Sequence, residues 1–286
     1  PYEEFPQHFA AFSTLVALDK PGTSGLLFGK STDGTDRARP LFDLWERTFG
    51  PLRTPEFFDN DGDSICVDDL VVPLSGKKME DFAQAQQKSF DPCFGSPLLK
   101  GYGDWLSSSG SSEKASSVFW RSDAFRIVYA SRNVVDSGGQ NLRRQMSNEV
   151  DFIAAMQKYA EQNGSGVQFE VLRPVPKEDG ISSQIQIISE SDVLIAPHGA
   201  SLTWMITMRK KACSVVLEFE ASGNYHYSNL AQHLNIRHIF IPSGMGWGSA
   251  SFDADVPNTL KLVEEAHLKW MGCKSQDVDS SSDIVF

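Results

Sequence analysis

The chain has 286 residues, 41% hydrophobic and 22% charged, enough apolar material for one large or two small globular cores and unlike a disordered or fibrous chain. Its 26 Lys and Arg against 37 Asp and Glu give a net charge of −11; no net basic field draws a phosphate polymer, so nucleic acid is not an expected partner, although a local basic pocket for one small anion is compatible. No apolar run approaches the roughly 20 residues that span a bilayer, and the chain opens at Pro1 with neither Met nor an apolar leader, so membrane contact is expected only through an anchor removed from ahead of Pro1.

In chain order, "FPQHFAAFSTLVAL" (5–18) and "PLFDLWERTF" (40–49) predict helices, and "GLLFG" and "ICVDDLVVPL" (65–74) predict strands, with Gly- and Pro-rich pieces between them. "DNDGDS" (59–64) resembles half a calcium loop, but its glycine is fourth rather than sixth and no Glu holds the twelfth place, so an Asp-Gly turn explains it better. "SSSGSSEKASS" (107–117) is too polar and small to pack a core and predicts a linker. It divides the chain into an N-terminal domain over 1–115 and a C-terminal domain over 116–286.

Beyond the linker the pattern is regular. Strand "FRIVYAS" (125–131) precedes helix "NEVDFIAAMQKYAEQNG" (148–164), with acids in its first turn, Val150, Ile153 and Ala154 on its apolar face and Gly at its end. Strand "VQFEVL", helix "ISSQIQIISES" with Ile181, Ile185 and Ile188 on one face, strand "DVLIA", helix "SLTWMITMR", strand "SVVLEF", helix "YSNLAQHLN" and strand "IRHIFI" follow, then a helix over 256–271 and a polar tail. Strands apolar on both faces that alternate with helices of about 10–15 residues indicate a parallel sheet covered on both sides, a doubly wound α/β domain. Ligands of such sheets bind beyond the carboxyl ends of the strands, which puts the loops after 131, 172, 196, 219 and 241 on one rim.

The loop after 131 carries Arg132, Arg143 and Arg144 around an Asp-Ser-Gly-Gly turn. Planar, permanently charged guanidinium groups suit a diphosphate that gains charge as a bond breaks; the alternative is surface arginine paired with Glu149 or Asp151. After "DVLIA", His198-Gly199-Ala200-Ser201 lets the backbone approach a ligand, and a helix starting near Ser201 offers N–H groups to an anion. Equally, Ser201 is a plain N-cap and His198 a satisfied buried imidazole. Ser201 is not a nucleophile of the hydrolase type, since no Gly-x-Ser-x-Gly occurs in the chain, and no Gly-x-Gly-x-x-Gly follows a strand as an oxidoreductase would need. Glu218 at the end of "SVVLEF" fits a ribose diol or a neighbouring cation, and Tyr225, His226 and Tyr227 fit either base stacking or closure of the helix onto the sheet.

Cys66, Cys93, Cys213 and Cys273 contain no Cys-x-x-Cys pair, which argues against a zinc or redox motif; they allow three disulfide pairings or free buried thiols. Asn163-Gly164-Ser165 fits the N-glycosylation pattern, a triplet common by chance.

The order "SR…LRR…NE", "SDVLIAPHGASLTWM", "SVVLEF…YHYSNLA", with "QHFAAF" and "VDDLVVPLSG" upstream, resembles the family 61 glycosyltransferases, which include plant xylan-decorating transferases and animal O-linked N-acetylglucosaminyltransferases. The resemblance covers most of residues 5–242. It implies a GT-B type α/β fold, two Rossmann-like domains with parallel sheets facing across a cleft, and an inverting enzyme. Such an enzyme moves a sugar from a UDP-sugar to a glycan or glycoprotein hydroxyl in the secretory lumen, in the Golgi rather than the ER. Residue by residue it implies Arg132 and Arg144, with Arg143 a neighbour, as the motif arginines, Asn148-Glu149 as the family's Asn-Glu, His198-Gly199-Ala200 with Ser201 as the nucleotide loop, and Glu218 as the acid ending the next strand. No cofactor or metal is expected, since no Asp-x-Asp lies at the rim and cations replace it. His8 is the expected general base, with Asp33 or Asp36 as fallback. Phe12 stands where the family commonly has an acid, which keeps open a degenerate module that binds nucleotide or glycan without turnover.

Overall fold

The computed structural model describes residues 96–109, 123–133, 144–173, 180–208, 213–221, 223–245 and 249–276. The expected elements of the first 95 residues, with His8, Phe12, Asp33, Asp36, Cys66 and Cys93, lie outside the described residues, as does Arg143.

The described elements are α1 (Pro97–Ser109), β1 (Phe125–Ala130), β2 (Gln145–Met146), α2 (Glu149–Gln162), β3 (Val167–Leu172), α3 (Gly180–Ser189), β4 (Val193–Pro197), a 3-10 helix (Ala200–Thr207), β5 (Val215–Ala221), α4 (His226–Leu234), β6 (Arg237–Met245), β7 (Ser251–Phe252) and α5 (Val256–Gln276). Five strands form a parallel sheet in the order β3-β1-β4-β5-β6, a Rossmann-like α/β arrangement. Between β1 and β4 the winding reverses direction, so the crevice where a doubly wound sheet takes its ligands opens there, beyond Ala130 and Pro197.

The strands are apolar on both faces because both are covered. Val128, Ala130, Leu194, Ala196 and Val216 face a core filled by α1, α3, the 3-10 helix and α4. Phe125, Ile127, Tyr129, Val193, Ile195, Leu217 and Phe219 face α2 and α5. Burying a Leu- or Phe-sized side chain contributes about 1.5–3 kcal/mol, which makes these two layers the source of the domain's stability.

Three sequence expectations change. Helix α1 continues to Ser109, so 107–109 are helix rather than linker; Leu99, Tyr102 and Leu106 lie in the first core, and Ser107 donates to the Thr207 carbonyl at 3.0 Å, so α1 packs against the 3-10 helix, α3 and α4. In α2 the inward residues are Glu149, Phe152 and Met156, while Val150 is 81% exposed and Ala154 is exposed. Glu149 turns inward to buried hydroxyl groups, and at about 100° per residue the next side chain must swing outward. The segment after β4 is a 3-10 helix beginning at Ala200, so Ser201 lies inside it and is not its N-cap.

Cys213, just before β5, and Cys273, near the end of α5, form a disulfide. It closes the sheet end opposite the rim. No helix of the described residues is long and apolar enough to cross a membrane.

Candidate functional site

The crevice between β1 and β4 is spanned by side chains from both. Arg132, two residues past the end of β1, donates from Nη1 to the His198 carbonyl at 3.0 Å. Arg144 donates from its own Nη1 to the same oxygen at 2.6 Å. Two guanidinium groups separated by 12 positions in sequence thus converge on one carbonyl.

Local bonds hold each of them. Asn133 grips the Met146 backbone in both directions, Nδ2 to O at 2.7 Å and Met146 N to Oδ1 at 3.0 Å, which brings the far end of the Arg-rich loop back to β1. Arg144 donates its own N–H to the Ser249 carbonyl at 3.1 Å and sits at φ 65°, a left-handed conformation that costs a non-glycine residue roughly 1–2 kcal/mol. Pairing of β2 with β7 imposes that conformation on it.

Gly199 is required by the same geometry. A Cβ there would lie 2.0 Å from Arg132 Nη1, so the guanidinium occupies the space that any larger residue would fill. Burial, and then the charge of Arg144, pull the Arg132 guanidinium below the usual arginine range, with Tyr227 opposing. It stays charged nonetheless. Among the described residues Arg132 makes no ion pair with a carboxylate. A partly buried cation beside a second cation, with no carboxylate paired to it among the described residues, has the charge and donors to hold an anion.

Glu149 is not the partner of these arginines. It is buried and accepts from Tyr129 Oη at 3.1 Å and from Ser131 Oγ, while its other oxygen lies 3.5 Å from Arg173. Burial first, then the Glu149 carboxylate, raise the Tyr129 phenol far above its ordinary range, so it remains a donor. Asn148 clamps the Ala254 backbone through Nδ2 and Oδ1, both at 2.9 Å. Among the described residues the Asn-Glu pair thus ties the segment after β7 and the end of β1 to the start of α2.

Glu218 departs from its expected role. It lies inside β5 at 0% exposure, and its two oxygens accept from His198 Nδ1 and, at 2.6 Å, from His238 Nε2. With no exposed surface and one imidazole on each oxygen, the carboxylate faces the two histidines inside the sheet. Burial pushes this carboxyl up, but the hydrogen bonds and charges of the two imidazoles outweigh it and hold the group below its ordinary value. The result fixes which His198 nitrogen carries its proton and anchors the residue whose carbonyl gathers both arginines. Tyr227 closes over it, edge to face at 5.0 Å, while Tyr225 packs on Phe240, so both tyrosines join the helix to the sheet. His226 donates its N–H to Asn224.

His238, Arg173 and Asn133 were not singled out from sequence. The signal for His238 was present: strands alternate faces, and a Glu and a His at inward positions of two apolar strands need each other as partners. The neighbouring β5–β6 register, Val216 beside His238 and Glu218 beside Phe240, brings them together. No cluster of three or more metal-ligating side chains occurs among the described residues.

The fold is that of a Rossmann-type α/β domain, with two arginines converging at the switch point of its sheet. A family model described as Glycosyltransferase 61 matches residues 9–216, more than half of the chain. The chain belongs to glycosyltransferase family 61 and is a glycosyltransferase. No curated protein matches it significantly.

Proposed function

We propose that the protein is an inverting, metal-independent transferase that moves a sugar from a UDP-sugar to a hydroxyl of a glycan or glycoprotein. The observation that carries this is the convergence of Arg132 and Arg144 on the His198 carbonyl at the switch point, with Arg132 lacking an ion pair among the described residues. In this reading the acceptor oxygen bonds to the anomeric carbon as the bond from that carbon to the β-phosphate oxygen breaks. The electron pair leaves on UDP, and the two guanidinium groups neutralise the charge that develops there. First-turn N–H groups of the 3-10 helix add donors beside Gly199. The acceptor proton goes to a base on the opposite face, for which His8 is the candidate and Asp33 or Asp36 the alternative.

A GT-B partner domain formed by the first half would supply that face, and a metal is unnecessary because arginines hold the diphosphate. The Cys213–Cys273 disulfide supports an oxidising compartment, in keeping with the secretory lumen and the Golgi. The alternative of a binding module without turnover keeps the same donor site and loses only the base.

Thermal stabilisation by UDP, compared with ADP and NAD, tests the donor site. A saturating specific ligand at about 100 times its Kd stabilises by roughly 2.7 kcal/mol. UDP should do so alone of the three, and Arg132→Ala and Arg144→Ala should each lose most of the effect. Equal stabilisation of wild type and both variants would remove the arginines from the site. UDP release from a panel of UDP-sugars and acceptors, undiminished by chelator, then separates the transferase from the module.

A further inference from the structure

Glu218, the residue expected to hold the ribose, is wholly buried between two histidines, so the nucleoside half of the ligand lacks an assigned contact. The next turn of chain contains a group that fits. Asn224 lies just past β5, on the rim, and its Oδ1 accepts the backbone N–H of His226 at 3.0 Å at the start of α4. That bond sets the orientation of the amide, since the flipped form would set two donors against each other.

With the amide so fixed, Asn224 Nδ2 is buried and has no hydrogen-bond partner, in a residue only 2% exposed. A buried donor left in this state carries its full desolvation penalty, and folded proteins keep few of them without a reason. The surroundings supply one. Gly223, directly before it, is exposed at φ 75°, and a Cβ there would meet nothing within 4 Å, so the chain beside the amide borders open space and is free to yield. Thr203 Oγ1, in the 3-10 helix packed on α4, is likewise buried without a partner. The ring contact of Tyr227 with His198 joins α4 to the loop where the two arginines converge.

We propose that Asn224 is a nucleoside-binding residue, its Nδ2 donating to an acceptor oxygen of the nucleoside of the sugar donor while Arg132 and Arg144 hold the diphosphate. This rests on the reading of the crevice as a nucleoside diphosphate site. The division of labour is sharp: the arginines recognise what UDP and inorganic pyrophosphate share, and Asn224 recognises what UDP and UMP share.

Calorimetric titration of UDP, UMP and inorganic pyrophosphate into wild type, Asn224→Ala and Arg132→Ala, with ligand-free melting curves, tests it. Asn224→Ala should weaken UDP and UMP by about ten-fold, the worth of one neutral hydrogen bond, and leave pyrophosphate unchanged. Its ligand-free melting temperature should hold or rise, because the substitution removes an unsatisfied donor along with the acceptor of the His226 N–H; a residue present only to accept that N–H would lower it. Arg132→Ala should weaken UDP and pyrophosphate together. Equal weakening of UDP and pyrophosphate by Asn224→Ala, or no weakening of UDP, overturns the assignment while leaving the arginine site in place. Failure of wild type to bind either UDP or pyrophosphate overturns both.

Discussion

A Cβ on Gly199 would stand 2.0 Å from Arg132 Nη1, so the smallest side chain in the loop after β4 is what lets the arginine after β1 cross the crevice. The clash is with the far end of a flexible side chain, which can swing away. Gly199→Ala should therefore leave stability within about 1 kcal/mol of wild type while UDP affinity drops at least about ten-fold. Calorimetric titration alongside denaturant melts checks both halves of that expectation. A large loss of stability would mean that the loop backbone, rather than Arg132, needs the glycine.

Glu218 links stability to pH through a definite sign. Its folded-state pKa lies below the ordinary value, so its contribution is complete above about pH 4.3 and is lost as pH falls through the lower folded value. Glu218→Ala leaves two inward-facing imidazoles without their acceptor and should cost about 3–5 kcal/mol at neutral pH. Glu218→Gln should cost less, and its gap from wild type should narrow on acidification from about pH 6 to about pH 3. Thermal melts across that range give the comparison, and a gap that widens toward acid would reverse the sign.

The two partners of Glu149 predict unequal losses. Arg173 is 42% exposed at 3.5 Å, so screening leaves Arg173→Ala a cost under about 1 kcal/mol. Glu149→Ala strips the acceptor from the Tyr129 and Ser131 hydroxyl groups, both buried, and should cost about 2–4 kcal/mol. Urea unfolding of the two variants distinguishes them; equal costs would make the ion pair, rather than the buried hydroxyl network, the basis of the carboxylate's role.

The disulfide joins residues 60 apart in sequence. Loop closure of that size restricts the unfolded chain by roughly 4 kcal/mol, with measured values commonly 2–4. Reductant, or Cys273→Ser, should lower stability by that order in equilibrium unfolding and leave UDP affinity intact, since Cys213 precedes β5 and the rim lies beyond its other end. Parallel loss of binding would join the two ends of the sheet energetically.

Sequence alone determined the parallel sheet, because strands such as "DVLIA" and "SVVLEF" are apolar on both faces and only a sheet covered on both sides buries them. It also placed Arg132, Arg144 and His198-Gly199 on one rim, since the strand ends follow from the same periodicity. Tertiary structure decided what each rim residue faces. Inward rotation of Glu149 follows from its distance to the buried Tyr129 and Ser131, not from the helix's own apolar spacing. Glu218 looked open at a strand end, yet β6 sets His238 beside it and takes up its second oxygen. The physical reason is common to both cases: periodicity along one segment fixes which face a side chain joins, whereas a buried polar group is satisfied by partners from other segments, 18 residues away in one instance and 20 in the other.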